Sequence, residues 1–239
     1  MDPAEKVWID RIEKTRQALL ASVEPLEIVD FGAGKAADLG PDDTAEVKTT
    51  TRTLGQMTLS SQRPRGAYLL FRILRELKPT SVLELGSCVG ISGSYLGAAL
   101  ELNGSGQLVT LEGAPVLAER SRQTVTDLGL GDRVEVVQGP FAETLGATLA
   151  RVRPLQFAFV DGHHLESATL DYLERLIGEM DVESVMHFDD INWSDGMRRA
   201  WKRIEADPRF ALTIDLGSFG AAVLSATPAE PRHLKIRYA

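Results

Sequence analysis

Val82-Leu83-Glu84-Leu85-Gly86-Ser87-Cys88-Val89-Gly90 is an apolar run that ends in a glycine turn. Preceded by Lys78-Pro79 and followed by a segment of helical spacing, the run has the character of a strand covered on both faces. Gly86 lets the chain turn tightly and lets a ligand approach the backbone, while a helix start beyond it offers N–H groups that have no partner within the helix. Phosphate-binding loops share this pattern, but the Walker lysine is missing, which argues against a nucleotide triphosphatase.

Working outward, β-like runs fall at 81–85, 107–112, 133–138, 155–161, 184–188, 211–216 and 220–225, with helical spacing at 66–77, 91–102, 115–128, 141–150, 166–177 and 196–207. Strand, helix and strand repeated with short links predict an α/β fold, its sheet mainly parallel with helices on both faces. The last two runs are joined only by Gly217-Ser218-Phe219. So short a link cannot make a parallel crossover and predicts a C-terminal antiparallel hairpin. Residues 1–63 read as an extension: an amphipathic helix around 4–20, then a Gly/Asp/Thr-rich stretch that serves as a cap, a lid or a contact between copies. Ile28-Val29-Asp30-Phe31-Gly32-Ala33-Gly34 imitates the glycine loop, but Gly40-Pro41 and the lack of helical spacing after it make it a turn.

Composition limits the function. Hydrophobic residues at 44% and charged residues at 25% are the balance of a soluble globular chain. A net charge of −8 without a basic block argues against nucleic acid as partner. No secretory signal and no membrane span are legible, so the cytoplasm is the expected location. Cys88 is the sole cysteine, so no intramolecular disulfide forms, and its place in a glycine-flanked turn is read as a demand for a small side chain.

Leu108-Val109-Thr110-Leu111-Glu112 is the next strand, closed by an acid where a doubly wound fold places the group that binds ribose hydroxyls. Glu112 therefore points to a nucleoside ligand. With both elements quoted, the chain resembles the catechol O-methyltransferase group of class I S-adenosylmethionine-dependent methyltransferases, through Glu84-Leu85-Gly86-Ser87-Cys88-Val89-Gly90-Ile91-Ser92, over roughly residues 64–225. The resemblance implies a Rossmann-like, seven-stranded sheet with a terminal hairpin, residues 64–239 forming the methyltransferase domain. It implies that Glu84, Gly86, Ser87 and Gly90 hold the methionine part of the cofactor and Glu112 its ribose. Gly139, Phe141 and His163 then lie near the adenine, and Asp161 borders the cofactor as well.

Phe157-Ala158-Phe159-Val160-Asp161-Gly162-His163-His164 and Val185-Met186-His187-Phe188-Asp189-Asp190 are strands that deliver acids and histidines to their carboxyl ends, where open α/β sheets bind ligands. Three converging carboxylates repel one another, and a hard divalent cation such as Mg²⁺ relieves that. The resembled group binds its metal through Asp, Asp and Asn, positions matched by Asp161, Asp189 and Asp190. Related sugar methyltransferases and cephalosporin-hydroxylase-like proteins use an acid pair there. His164 stands where the resembled enzymes carry a basic group, and imidazole titrates near neutrality, so His164 is the expected general base, with Asp161 beside it. Trp193 suits an acceptor-site wall, and His187 is expected in the core. The implied activity is methyl transfer to a hydroxyl of a small molecule, a sugar, phenol or secondary metabolite. The alternatives are a hydroxylase-associated relative that binds the cofactor without turnover, and an NAD-dependent oxidoreductase, whose Gly-x-Gly-x-x-Gly loop is not supplied here.

Overall fold

The computed structural model describes residues 2–31, 48–227, 230 and 232–236 of the 239-residue chain. The strands form a mainly parallel, eight-stranded mixed sheet beside a separate two-stranded ribbon. By internal packing the chain divides into two compact units.

The first unit holds residues 1–30 and 48–145. It opens with α1 (Pro3–Leu20), started by a capping box in which Asp2 accepts from the Glu5 backbone and Glu5 reaches back to the Asp2 N–H. β1 (Pro25–Asp30) and β2 (Lys48–Thr53) then pair antiparallel. The Gly/Asp/Thr-rich extension thus contains a β-ribbon that its composition concealed, while Gly32-Ala33-Gly34 of the imitation loop lies outside the described residues. α2 (Leu54–Leu59) and α3 (Pro64–Leu77) follow, and Lys78 ends α3 in the left-handed conformation.

Three parallel strands make this unit's share of the sheet, in the order β3 (Ser81–Leu85), β4 (Gln107–Glu112), β5 (Val134–Gln138). α4 (Ile91–Asn103) and α5 (Pro115–Asp127) join them. α4 is buried from Ile91 through Leu100, as a helix apolar on every side must be. Its small residues set the packing distance. A Cβ on Gly97 would lie 2.4 Å from Val134 Cγ2, so only glycine lets α4 approach β5 this closely. Val82, Leu83, Leu85 and Leu111 are wholly buried at the centre. Each such side chain contributes about 1.5–3 kcal/mol on burial.

α6 (Phe141–Val152) precedes the second unit's strands, ordered β6 (Leu155–Val160), β7 (Met180–Phe188), β9 (Gly220–Leu224), β8 (Phe210–Asp215), β10 (Arg232–Lys235). β6 and β7 run parallel, with α7 (Glu166–Ile177) as their crossover helix. α8 (Asp195–Glu205) leads to the β8–β9 hairpin, antiparallel as its four-residue link requires, and β9 is also antiparallel to β7. β10 pairs parallel with β8. This eighth strand was not legible, since Arg-His-Leu-Lys is short, polar and exposed. Trp201 of α8 is 3% exposed and packs under β9, where a Cβ on Gly220 would meet the indole at 2.4 Å.

Candidate active site

In the first unit the glycine turn is held by the backbone of the neighbouring strand. The Gly86 and Ser87 N–H groups donate to the Leu111 carbonyl at 2.9 and 3.2 Å, and the Gly90 N–H donates to the Ser87 carbonyl at 2.7 Å. The turn amides expected to await a ligand are therefore largely paired within the protein. Gly86 has φ 101° and Gly90 φ 85°, left-handed conformations that favour glycine. A Cβ on Gly90 would also come within 3.0 Å of Ser121 Oγ.

Glu112 closes over this turn. Its Oε2 accepts from the Cys88 N–H at 2.8 Å and its Oε1 from the Ala114 N–H at 2.9 Å. Burial pushes its pKa up to about 6 against those bonds. Each carboxylate oxygen keeps a second lone pair for a hydroxyl donor. Cys88 sits at φ 47° with its Sγ 3.6 Å from the Met57 carbonyl, so α2 of the extension touches the turn.

Glu84 lies fully buried on β3, against the first turn of α4, where a Cβ on Gly93 would stand 3.0 Å from its Oε2. Among the described residues neither of its oxygens has a hydrogen-bond partner of good geometry, and the Ser87 and Thr110 hydroxyl oxygens are likewise unpartnered. Burial pushes the Glu84 pKa up to about 7, while the nearby Ser92 and Thr110 hydroxyls pull weakly the other way. A buried acid in this state either keeps its proton or needs a cationic group. Gly139 has φ 139° and donates its N–H to the Glu112 carbonyl at 2.9 Å. Phe141 is 6% exposed at the start of α6.

The second unit presents its own cluster at the carboxyl ends of β6 and β7. The Asp189 N–H donates to the Val160 carbonyl, binding the two strand ends together. His164 Nε2 lies 3.9 Å from Asp161 Oδ1 and 3.8 Å from Asp190 Oδ2, so the imidazole stands between two carboxylates. Burial lowers its pKa, and Asp190 opposes the shift. Asp190 has φ 51° and donates its N–H to Asp189 Oδ1 at 2.9 Å. His163, at φ 54°, is bonded through Nδ1 to the Tyr172 hydroxyl. Trp193 is 49% exposed with its ring centroid 6.3 Å from that of His164, whereas His187 is buried between Phe159 and Phe219 with its pKa pushed down to about 3 by burial.

Among the described residues no three His, Cys, Asp or Glu side chains are gathered as a metal ion requires. The Asp161, Asp189 and Asp190 set expected for Mg²⁺ is thus not assembled as three donors. Asp161 and Asp190 instead flank an imidazole. Tyr172 was missed in the sequence because nothing in a tyrosine on a helix, nine residues beyond His163, signals that contact.

The fold is the Rossmann-like α/β fold that solved methyltransferases share. Residues 83–191 match the family model described as a methyltransferase domain. The chain is 36% identical over 126 residues to a catechol O-methyltransferase of Mycobacterium tuberculosis, covering 53% of this chain and 51% of the relative. The chain therefore spans about half the length of that curated relative. The fold is shared with an O-methyltransferase from Bacillus cereus solved with S-adenosylhomocysteine (TM-score 0.63, 21% identity, 92% of this chain and 91% of that one). It is shared also with TomG from Streptomyces achromogenes, an O-methyltransferase of tomaymycin synthesis solved with S-adenosylmethionine (TM-score 0.60, 22% identity, 70% and 82%). The resemblance read from the glycine loop is borne out by these matches.

Proposed function

We propose that the chain is an S-adenosylmethionine-dependent O-methyltransferase acting on a hydroxyl of a small molecule, a sugar, phenol or secondary metabolite. One observation carries the reading. Glu112, bonded across to the Cys88 amide, sets a ribose-recognising acid directly on a glycine turn. The matches to a methyltransferase domain and to a catechol O-methyltransferase support it.

In this reading Glu84 and the Ser87 hydroxyl, which lack well-placed partners among the described residues, take the amino-acid part of the cofactor, and Gly86 and Gly90 leave room for it. Glu112 takes the ribose, while Gly139, Phe141, Asp161 and His163 serve the remainder. When bound, the cofactor supplies an electrophilic methyl group on a sulfonium. His164 accepts the acceptor hydroxyl's proton, its neutral form favoured by burial. Asp161 and Asp190, within 4 Å, stabilise the imidazolium that results. Trp193 offers an exposed ring face beside His164 to the acceptor. α2 of the extension caps the turn, an assignment supported by Met57 against Cys88. No described helix is long and apolar enough to cross a membrane, and a cytoplasmic location accompanies this reading.

No step here is routed through Mg²⁺, because the three carboxylates do not form a donor set. Incubation with S-adenosylmethionine and a panel of phenols and sugars should release S-adenosylhomocysteine, with turnover persisting in EDTA. A loss of tenfold or more, restored by Mg²⁺, would return Asp161, Asp189 and Asp190 to the role of ligands. Calorimetric binding of NAD in place of S-adenosylmethionine would overturn the proposal. Cofactor binding without S-adenosylhomocysteine across the panel would favour the relative that binds without turnover.

A further inference from the structure

We propose that Tyr172 is a positioning residue: by bonding His163 it holds the β6–α7 loop in the one backbone course that aims His164 between Asp161 and Asp190. This rests on the reading of His164 as the proton acceptor.

His163 occupies the left-handed region, which a residue with a Cβ enters only when its surroundings hold it there. Its imidazole is tethered to the Tyr172 hydroxyl, with the rings 6.0 Å apart and tilted by 30°. Tyr172 projects from the middle of α7 and is 5% exposed, so the anchor belongs to a rigid element rather than to the loop itself. Burial raises the phenol's pKa, which keeps the hydroxyl protonated and able to donate to Nδ1 when Nε2 carries the ring proton. Leu165, the N-cap of α7, makes no side-chain bond, so among the described residues no cap does this work. Were residue 163 to relax to negative φ, the chain direction entering His164 would swing and carry the imidazole away from its two carboxylates. The catalytic histidine would then be aimed by a residue that touches neither cofactor nor acceptor.

Tyr172→Phe removes one oxygen and keeps the buried ring. We expect kcat to fall about tenfold or more, because small displacements of a reacting group are costly, with a smaller loss of calorimetric affinity for S-adenosylmethionine, since the released His163 also borders the cofactor. In a His163→Asn background, where the side chain tolerates left-handed φ and no imidazole remains to tether, the same substitution should change kcat by less than about twofold. Unchanged kcat in Tyr172→Phe would overturn the proposal, as would an equal loss in both backgrounds or a loss confined to cofactor affinity. The imidazole proton resonances of His164 give a readout independent of turnover. They should shift in Tyr172→Phe, and an unmoved spectrum would sink the idea even in a protein that proved to transfer no methyl group. A shift without any methyl transfer by the parent would instead count against the proposed function alone.

Discussion

Glu84 is an acid that the folded chain tolerates best while it keeps its proton. Its pKa, pushed up to about 7 by burial, lies above that of the same side chain in the unfolded chain. Stability from this group is therefore fully present below about pH 4.5 and is lost as the pH rises through about 7. The difference amounts to on the order of 3 kcal/mol at most. Thermal unfolding of the ligand-free protein should show Tm falling between about pH 5 and 7.5, and Glu84→Gln should flatten that slope while weakening cofactor binding. A slope unchanged by the substitution would mean that Glu84 finds a partner on folding. His164→Asn is expected to lower kcat by about 10²–10⁴, with cofactor affinity retained in a titration. At this scale the sequence was informative about residue type and position, because Glu84, Glu112 and His164 sit at strand ends or turns whose chemistry is readable. It was silent on state. That Glu112 binds the Cys88 amide, that Glu84 lacks a well-placed partner among the described residues and that His164 separates two aspartates are properties of three-dimensional packing with no local signature.

Among the elements, the glycine-poor ones were the easier to read. β3, β4, β6 and α7 emerged within a residue or so of their observed bounds, because apolar runs and helical spacing dominate them. β1 and β2 did not, since Lys48–Thr53 carries one arginine, one lysine and four threonines with none buried, and β1 buries only Leu26 and Ile28. The small residues of α4 were visible but their purpose was not. Gly97→Ala would set a Cβ 2.4 Å from Val134 Cγ2, forcing α4 and β5 apart. We expect a cost of about 1–3 kcal/mol in urea unfolding, with the glycine turn some distance along α4 left able to bind cofactor. A Tm equal to the parent's would show that Val134 yields by changing rotamer.

For the whole chain, the regular alternation of elements made the class legible, and the matches over residues 83–191 agree with it. The terminal hairpin followed from a three-residue link. What lay beyond reach was the closing strand, because β10 is bounded by no apolar pattern and owes its place to β8. In the second unit the strand order ends with β10, whose Lys235 Nζ meets the Asp215 carboxylate at 2.6 Å. β10 thereby occupies the hydrogen-bonding edge of β8, and its exposed residues include Arg232 and Lys235. Positively charged outermost strands discourage other chains from joining a sheet. Removing residues 228–239 should uncover β8 and yield a protein that sediments as polydisperse polymers and binds amyloid dyes while its monomers still titrate with cofactor. Four unremarkable residues would then be what keeps one molecule from templating the next.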